Sequence, residues 1–155
     1  MSVDLSLPDV AATEALGARL AAGVAPGRVL HLRGELGAGK TTVVRGALRA
    51  LGYSGRVRSP TYAVVEPYAV SRLHLYHFDF YRLREPNEWL SSGFREYFSP
   101  QTVCFVEWPE RAGDTLPPPD LELQLGFADG ARRARLTPRS SAGESWLASA
   151  SLSSS

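Results

Sequence analysis

Residues 34–41, with the sequence Gly-Glu-Leu-Gly-Ala-Gly-Lys-Thr, constrain the fold of this chain more than any other segment. They match the pattern Gly-x-x-x-x-Gly-Lys-Ser/Thr, whose glycine-rich backbone and lysine hold phosphate groups. Lys40 is the only lysine in the chain, and the other 16 basic residues are arginines. A compact ammonium on a flexible stem acts as a point charge between phosphates, whereas a planar guanidinium fork has the wrong shape for that position. The segment therefore predicts a binding site for a nucleoside triphosphate.

The flanks of this segment are those that a phosphate-binding loop requires. Residues 28–33 have the apolar pattern of a short strand, and residues 40–51 have that of an amphipathic helix closed by Gly52. A strand, a tight loop and a helix N-terminus in this order point free backbone N–H groups at phosphates. A glycine-rich turn that binds nothing would have no need of both flanks.

The loop and the first helical turn supply the predicted ligands. Glycines, including Gly34, let the backbone wrap phosphate oxygens without Cβ clashes. The hydroxyl of Thr41 is available to Mg²⁺, and that of Thr42 to an α-phosphate oxygen. The predicted nucleotide-binding residues of this segment are Gly37, Ala38, Gly39, Lys40, Thr41 and Thr42.

The remaining pattern predicts an α/β protein with a P-loop NTPase-like three-layer fold, a mixed and mostly parallel central sheet and a C-terminal β-hairpin. We expect one domain over residues 1–139, followed by a disordered serine- and alanine-rich tail over residues 140–155. Further strands are predicted at residues 3–7, 59–65, 73–81, 102–106, 121–127 and 132–136, and further helices at residues 9–22 and 85–98.

A phosphate loop also needs a carboxylate that holds Mg²⁺ or orients water, usually at the carboxyl end of a neighbouring strand. Glu107 ends the apolar strand at residues 103–106, and Asp79 interrupts an aromatic run. An acid within such a strand is costly unless it is paired or coordinated. Arg82 offers Asp79 an ordinary ion-pair partner, and Glu107 has the alternative role of a solvated turn carboxylate.

Other polar and aromatic residues have two open interpretations each. Trp108 either stacks near the nucleotide or belongs to the core. His74 and His77 lie three apart on one strand and hence on opposite faces, so packing is favoured over a metal pair. Ser59 and Thr61 belong either to a plain turn or to a loop that senses the γ-phosphate.

The formal net charge of +1 gives no overall attraction to nucleic acid, so RNA contact would need a local patch of arginines. Arg132, Arg133, Arg135 and Arg139 cluster near the C-terminus. Strand alternation puts Arg133 and Arg135 on one face and Arg132 on the other. A solvated edge strand is the simpler interpretation, and nucleotide or partner contact is the other.

Composition predicts a soluble protein of the cytoplasm. The single cysteine, Cys104, lies in an apolar run and is expected to be buried as a small hydrophobe. We expect no membrane span and no signal peptide. Asn87 is the only asparagine and is not followed by lysine, so the Asn-Lys-x-Asp guanine motif is absent and ATP is the expected nucleotide.

Four blocks of the sequence together resemble one family, the bacterial ATPase subunit of tRNA threonylcarbamoyladenosine synthesis (the TsaE or YjeE family). The resemblance covers roughly residues 5–136 in order and spacing. The later blocks are far more specific than the phosphate loop alone. The blocks are Leu-Arg-Gly-Glu-Leu-Gly-Ala-Gly-Lys-Thr-Thr at residues 32–42, Ser-Pro-Thr-Tyr at 59–62, His-Phe-Asp-Phe-Tyr-Arg-Leu at 77–83 and Val-Glu-Trp-Pro-Glu-Arg at 106–111.

The resemblance implies an ATP-binding α/β protein with weak ATPase activity of its own. Such proteins support a two-protein complex that transfers threonylcarbamoyl to adenosine 37 of tRNAs reading codons that begin with A. Contact with tRNA would be indirect or weak, and no membrane is involved.

The resemblance also implies site residues. Thr41 and Glu107 correspond to the Mg²⁺ site, Asp79 to a second essential carboxylate and Trp108 to a residue close to the nucleotide. More weakly, Asp9, Val10 and Arg132 match positions at which the family touches ATP. With Lys40, Asp79 is the expected catalytic residue, either activating water or supporting the Mg²⁺ shell.

Two other functions are compatible with a phosphate loop in a small α/β domain. A small-molecule kinase would need arginines over the phosphates, for which Arg82, Arg84 and Arg95 are available. A nucleotide-binding interaction module would bind ATP without significant hydrolysis.

Overall fold

A computed structural model of the chain describes residues 1–60 and 64–152. Within these ranges seven strands form one sheet in the order β1-β7-β6-β2-β5-β4-β3. The strands are β1 Val3–Leu7, β2 Val29–Arg33, β3 Val65–Val70, β4 Leu73–Asp79, β5 Thr102–Glu107, β6 Leu121–Ala128 and β7 Ala131–Pro138.

Most strands of this sheet run in one direction. Strands β6, β2, β5 and β4 pair in parallel along the middle of the sheet. The pairs β1–β7, β7–β6 and β3–β4 are antiparallel, so that only β7 and β3 run against the rest. The prediction of a mixed, mostly parallel sheet is confirmed.

Helices cover both faces of the sheet, as a three-layer fold requires. Helices α1 (Val10–Ala21), α2 (Lys40–Ala50) and α4 (Ser141–Ser149) pack on one face, against side chains that include Leu30, Leu32, Val103 and Phe105. The opposite face holds Val29, Cys104 and Val106 under helix α3 (Glu88–Ser91) and the 3₁₀ segments Phe94–Tyr97 and Pro109–Thr115. Because side chains alternate along a strand, the apolar residues of β2, and likewise those of β5, are divided between the cores on the two faces of the sheet.

Helices α1 and α2 approach each other closely through glycines, and this contact fixes the position of α2. A Cβ atom on Gly17 would lie 2.1 Å from the carbonyl oxygen of Val43, and one on Gly46 would lie 2.0 Å from that of Glu14. Since no real Cβ tolerates such distances, only glycine permits this packing. Helix α1 begins at its N-cap Asp9, whose side chain accepts a hydrogen bond from the N–H of Ala12 at 2.8 Å.

Cys104 is buried as predicted, and burial raises the pKa of its thiol to about 12. The predicted hairpin is also present: β6 and β7 are joined by Asp129 and Gly130, which have φ values of 54° and 77°. A two-residue turn with positive φ at both residues has a backbone twist that matches the twist of the two flanking strands.

The expectation of a disordered tail after residue 139 is wrong for the residues described there. Ser140 caps helix α4 by accepting a hydrogen bond from the N–H of Gly143 at 3.1 Å. Trp146 is fully buried, and its indole N–H donates to the carbonyl oxygen of Leu20 at 2.8 Å. Burial of this large aromatic side chain outweighs the polar composition around it. Residues 153–155 lie outside the described ranges.

Two predicted boundaries also change. Strand β3 begins at Val65, where the predicted strand ended, and residues 61–63 lie outside the described ranges. The predicted helix at residues 85–98 is two short segments separated by Gly93, whose φ of 77° interrupts helical geometry. None of the helices in the described ranges is both long and apolar enough to span a membrane.

Candidate functional site

The phosphate loop connects the carboxyl end of β2 to the first residue of α2. Gly37 and Gly39 have φ values of 81° and 109°, which L-residues with a side chain rarely adopt. Apart from Gly37 and its two neighbours in the chain, no described residue has an atom within 4 Å of the position that a Cβ on Gly37 would take. Gly39 is the N-cap of α2, and no side chain among the described residues caps it. The first N–H groups of α2 are therefore left for a ligand, as an anion site at a helix N-terminus requires.

Lys40 lies within this loop with only 4% of its surface exposed. Its ammonium donates to the carbonyl oxygens of Gly34 and Glu35 at 2.6 and 3.0 Å. It also lies 4.4 Å from the centre of the Trp108 ring. Burial lowers the pKa of Lys40, and the charges of the nearby carboxylates, Glu107 first, oppose that change.

The two candidate carboxylates lie side by side because β4 and β5 are parallel and in register. Asp79 and Glu107 are paired positions at the carboxyl ends of these strands. Glu107 is 3% exposed, so the alternative of a solvated turn carboxylate is wrong. Its Oε2 atom accepts a hydrogen bond from the hydroxyl of Thr41 at 2.9 Å. This bond joins the carboxylate to the first turn of α2.

Both carboxylate oxygens of Asp79 accept hydrogen bonds. Oδ2 accepts from the hydroxyl of Ser59, and Oδ1 accepts from the backbone N–H of Tyr81 at 2.9 Å. Within residues 1–60 and 64–152 no ion pair joins Asp79 to Arg82, so the ordinary partner expected for this acid is not used. Thr61, the other predicted γ-phosphate sensor, lies outside the described residues.

These groups surround one cavity of about 240 Å³. Of the predicted nucleotide and metal residues, Ala38, Asp9 and Val10 do not line it: Ala38 is buried within the loop, and the other two stand at the start of α1, where Val10 is 52% exposed. The described residues lining the cavity are Leu36, Gly37, Gly39, Lys40, Thr41, Thr42, Ser59, Asp79, Tyr81, Glu107, Trp108 and Arg132.

Arg132 reaches this cavity from the C-terminal hairpin. It pairs with Leu7 of β1 and Phe127 of β6, and its guanidinium comes within 3.9 Å of the position a Cβ on Gly39 would take. Arg135 points to the other face of the sheet, where its Nε donates to Asp4 at 2.8 Å. The predicted separation of these two arginines by strand alternation is therefore confirmed, and only Arg132 lies near the phosphate loop.

Trp108 lines the cavity and is only half-buried, whereas Trp89 and Trp146 are the fully buried core tryptophans. Its backbone φ is 56°, an unusual value for an aromatic residue. Its ring packs against that of Tyr81 at 5.0 Å between centroids. The guanidinium of Arg111 lies over both rings, at 5.6 Å from Trp108 and 5.4 Å from Tyr81.

His77 is a residue of this site that sequence analysis assigned to packing. It is fully buried as expected, but its Nε2 atom lies 2.6 Å from Oε2 of Glu107. The available signal was alternation: His77 and Asp79 are two apart on β4 and therefore share a face. His74 is exposed on the other face.

The donor set fits phosphate and Mg²⁺. Mg²⁺ takes oxygen ligands and is usually held by one or two protein groups together with substrate phosphates. The Thr41 hydroxyl and the Glu107 carboxylate supply such oxygens beside the phosphate loop. Among the described residues no group of three or more His, Cys, Asp or Glu side chains forms a metal cage. An ion that arrives with a phosphate chain suits this arrangement.

Comparison with known proteins gives a consistent result. The family described as "Threonylcarbamoyl adenosine biosynthesis protein TsaE" matches residues 7–135. The tRNA threonylcarbamoyladenosine biosynthesis protein TsaE of Haemophilus influenzae is 40% identical over 75% of this chain and 73% of its own length. The protein of the same name from Nostoc is 38% identical over 85% and 83%.

A solved structure shows the same fold. The crystal structure of YdiB from Bacillus subtilis superposes with a TM-score of 0.83 and 31% sequence identity, covering 97% of this chain and 95% of that one. With the family match and the relatives above, this likeness extends over nearly the whole molecule. The chain belongs to the TsaE family.

Proposed function

We propose that this protein binds ATP with Mg²⁺, hydrolyses it slowly by itself, and thereby supports a two-protein complex in the cytoplasm that transfers threonylcarbamoyl to adenosine 37 of tRNAs reading codons that begin with A. The observation that carries the proposal is the meeting of a phosphate loop with the Thr41–Glu107 pair in one cavity. This arrangement occurs in a chain whose relatives are named for threonylcarbamoyladenosine biosynthesis.

The phosphate loop has the geometry to bind the phosphate chain. Backbone N–H groups at the start of α2 would donate hydrogen bonds to the phosphates, the ammonium of Lys40 would offset their charge, and the Thr42 hydroxyl would contact the α-phosphate. Lys40 is buried and lines the cavity, so its ammonium would exchange its two loop carbonyl contacts for phosphate oxygens. We assign the start of α1 (Asp9 and Val10) and Arg132 to contacts with the rest of the nucleotide.

Thr41 and Glu107 would hold Mg²⁺, which when bound neutralises charge on the β- and γ-phosphates. Asp79 either orients and activates the attacking water or supports the Mg²⁺ shell. Its Oδ2 atom is bonded to Ser59. A change in that bond would therefore couple the state of the carboxylate to the segment that begins at Ser59, which is the basis for a γ-phosphate sensor there.

Phosphorylation of a small molecule is the less supported alternative. Such enzymes need arginines over the phosphates, but Arg132 is the one arginine among the described residues that line the cavity. Arg95 donates instead to the carbonyl oxygen of Thr115 at 3.1 Å, away from the loop. Among the described residues, Arg82, Arg84 and Arg95 do not line the cavity beside the phosphate loop.

The decisive experiment measures partner binding and phosphate release with the purified two-protein complex. Tagged protein is mixed with the complex in the presence of ATP, ADP or no nucleotide, and capture and phosphate release are quantified. We expect capture that requires ATP and phosphate release that rises when the complex is present. Binding of ATP without release in either condition would support an interaction module, and absence of nucleotide-dependent capture would refute the proposal.

A further inference from the structure

His77 has a defined polar contact in the site, although it lines no part of the cavity. We propose that His77 is a positioning residue that fixes the orientation of the Glu107 carboxylate and so sets the affinity for the divalent cation. The proposal rests on the proposed function, because it assumes that Glu107 and Thr41 hold Mg²⁺. It adds a residue that touches neither metal nor nucleotide.

The hydrogen bonds of Glu107 divide its two oxygens between different tasks. Oε2 receives the Thr41 hydroxyl at 2.9 Å and faces Nε2 of His77 at 2.6 Å. Within the described residues no hydrogen bond reaches Oε1. Since Oε2 is committed to two partners, Oε1 is the oxygen left for a cation.

The tautomer of His77 follows from the same contacts. An ionised carboxylate only accepts hydrogen bonds, so Nε2 of His77 carries a proton. Nδ1 is buried and has no partner among the described residues. A proton on Nδ1 would be an unsatisfied buried donor, which is costly, so the tautomer with its proton on Nε2 suits the site.

The support from His77 is rigid because both residues belong to adjacent strands. His77 pairs with Phe105 in the β4–β5 register, two positions before Glu107. The Lys40 ammonium is close enough for the charge of Glu107 to raise its pKa against the effect of burial. A released Glu107 would turn toward Lys40, which would engage a cation ligand and a phosphate ligand with each other.

Loss of such a supporting contact typically weakens metal affinity by about 10–100-fold. The test is Mn²⁺ titration of the ADP-bound protein, followed by electron paramagnetic resonance of free Mn²⁺, with ADP affinity measured separately in EDTA. We expect His77→Leu to weaken Mn²⁺ binding by about 10–100-fold. Affinity for ADP in EDTA should change less than about threefold, because Lys40 and the loop amides are intact.

Two variants separate positioning from general packing. His77→Gln carries an N–H where Nε2 lies and should restore most of the Mn²⁺ affinity. His31→Leu is the matched control, since His31 is also a buried histidine in the sheet but has no partner for either ring nitrogen among the described residues. It should leave Mn²⁺ binding unchanged.

Different failures have different meanings. Wild-type protein that binds ADP but not Mn²⁺, or neither, would refute the metal site itself. Wild-type Mn²⁺ affinity in a folded His77→Leu protein, or equal loss in His77→Gln and His77→Leu, would overturn the positioning role alone. If the leucine variant does not fold, His77→Asn gives the same test, because its shorter side chain does not reach Oε2.

Discussion

The candidate site has two halves that the chain builds in different ways. The phosphate half is residues 34–42, one continuous loop and the first turn of α2. The carboxylate half is His77, Asp79 and Glu107, which come from two strands and meet through the parallel register of β4 and β5. The first half depends on local backbone geometry, whereas the second depends on the whole sheet.

This difference separates what each half should do alone. The phosphate half needs no cation to offer N–H groups and an ammonium, so it should bind nucleotide weakly without metal. The carboxylate half contains no lysine or arginine that could hold phosphate directly, and it should act only when a cation is present. Single substitutions can therefore break one half and leave the other intact.

The largest effect is expected in the phosphate half. Lys40→Ala should reduce ATP affinity by roughly 100-fold or more, because hydrogen bonds to charged groups contribute about 1.5–3 kcal/mol each. Titration calorimetry with and without Mg²⁺ measures this loss, which should appear in both conditions. Loss only in Mg²⁺ would mean that the two halves are not separable.

Lys40→Arg separates the effect of charge from that of shape, because arginine keeps the positive charge of the side chain but carries it on a planar guanidinium group. If the point-charge geometry of lysine matters, the arginine variant should bind ATP far more weakly than wild type. Near-normal binding by Lys40→Arg would leave the only lysine of the chain without its physical explanation.

A smaller effect is expected in the carboxylate half. Glu107→Gln keeps the shape of the side chain and an oxygen for the Thr41 hydroxyl, but it removes the charge that attracts the cation. Nucleotide affinity in EDTA should stay within about threefold of wild type, while the gain in affinity on adding Mg²⁺ should fall by about 10-fold or more, since loss of a group that only supports a metal ligand already costs about 10–100-fold. An equal loss in EDTA would show that Glu107 organises the loop rather than the metal.

The two halves also differ in how far sequence could predict them. The loop motif and its flanking strand and helix predict the phosphate half, because those residues are adjacent in the chain and their geometry is local. The sequence predicts Glu107 at a strand end and Asp79 within an aromatic run as candidate acids, but it does not predict their contacts, because register decides which side chains meet. No local sequence pattern predicts the contact between His77 and Glu107.

Helix α4 shows the same limit in the fold. Its serine- and alanine-rich composition is typical of disorder, yet Trp146 is fully buried and anchors the helix beside α1. A lone tryptophan in such a segment was the signal, since large aromatic side chains seldom stay exposed. Whether such a segment is ordered depends on whether the rest of the molecule offers a groove for its apolar side chains, which composition does not show.

The smallest effect on ligand binding should come from His31, a buried histidine outside both halves. It is 4% exposed, and burial, with a smaller effect from the charge of Arg33, lowers its pKa to about 4. His31 therefore takes up a proton near pH 6.5 in the unfolded chain, but only near pH 4 in the folded protein. Stability present at pH 7 is lost as the pH falls through this window.

His31→Leu removes this titration and should bind ATP and Mg²⁺ as wild type does. Between pH 7 and pH 5 wild type should lose about 2 kcal/mol of unfolding free energy through His31, and the variant should lose that much less. Urea unfolding at the two pH values measures the difference, which corresponds to roughly 1 M in the midpoint. Weaker Mg²⁺ binding by this variant would show that the carboxylate half extends across the sheet to its opposite face, and the division into two separable halves would then fail.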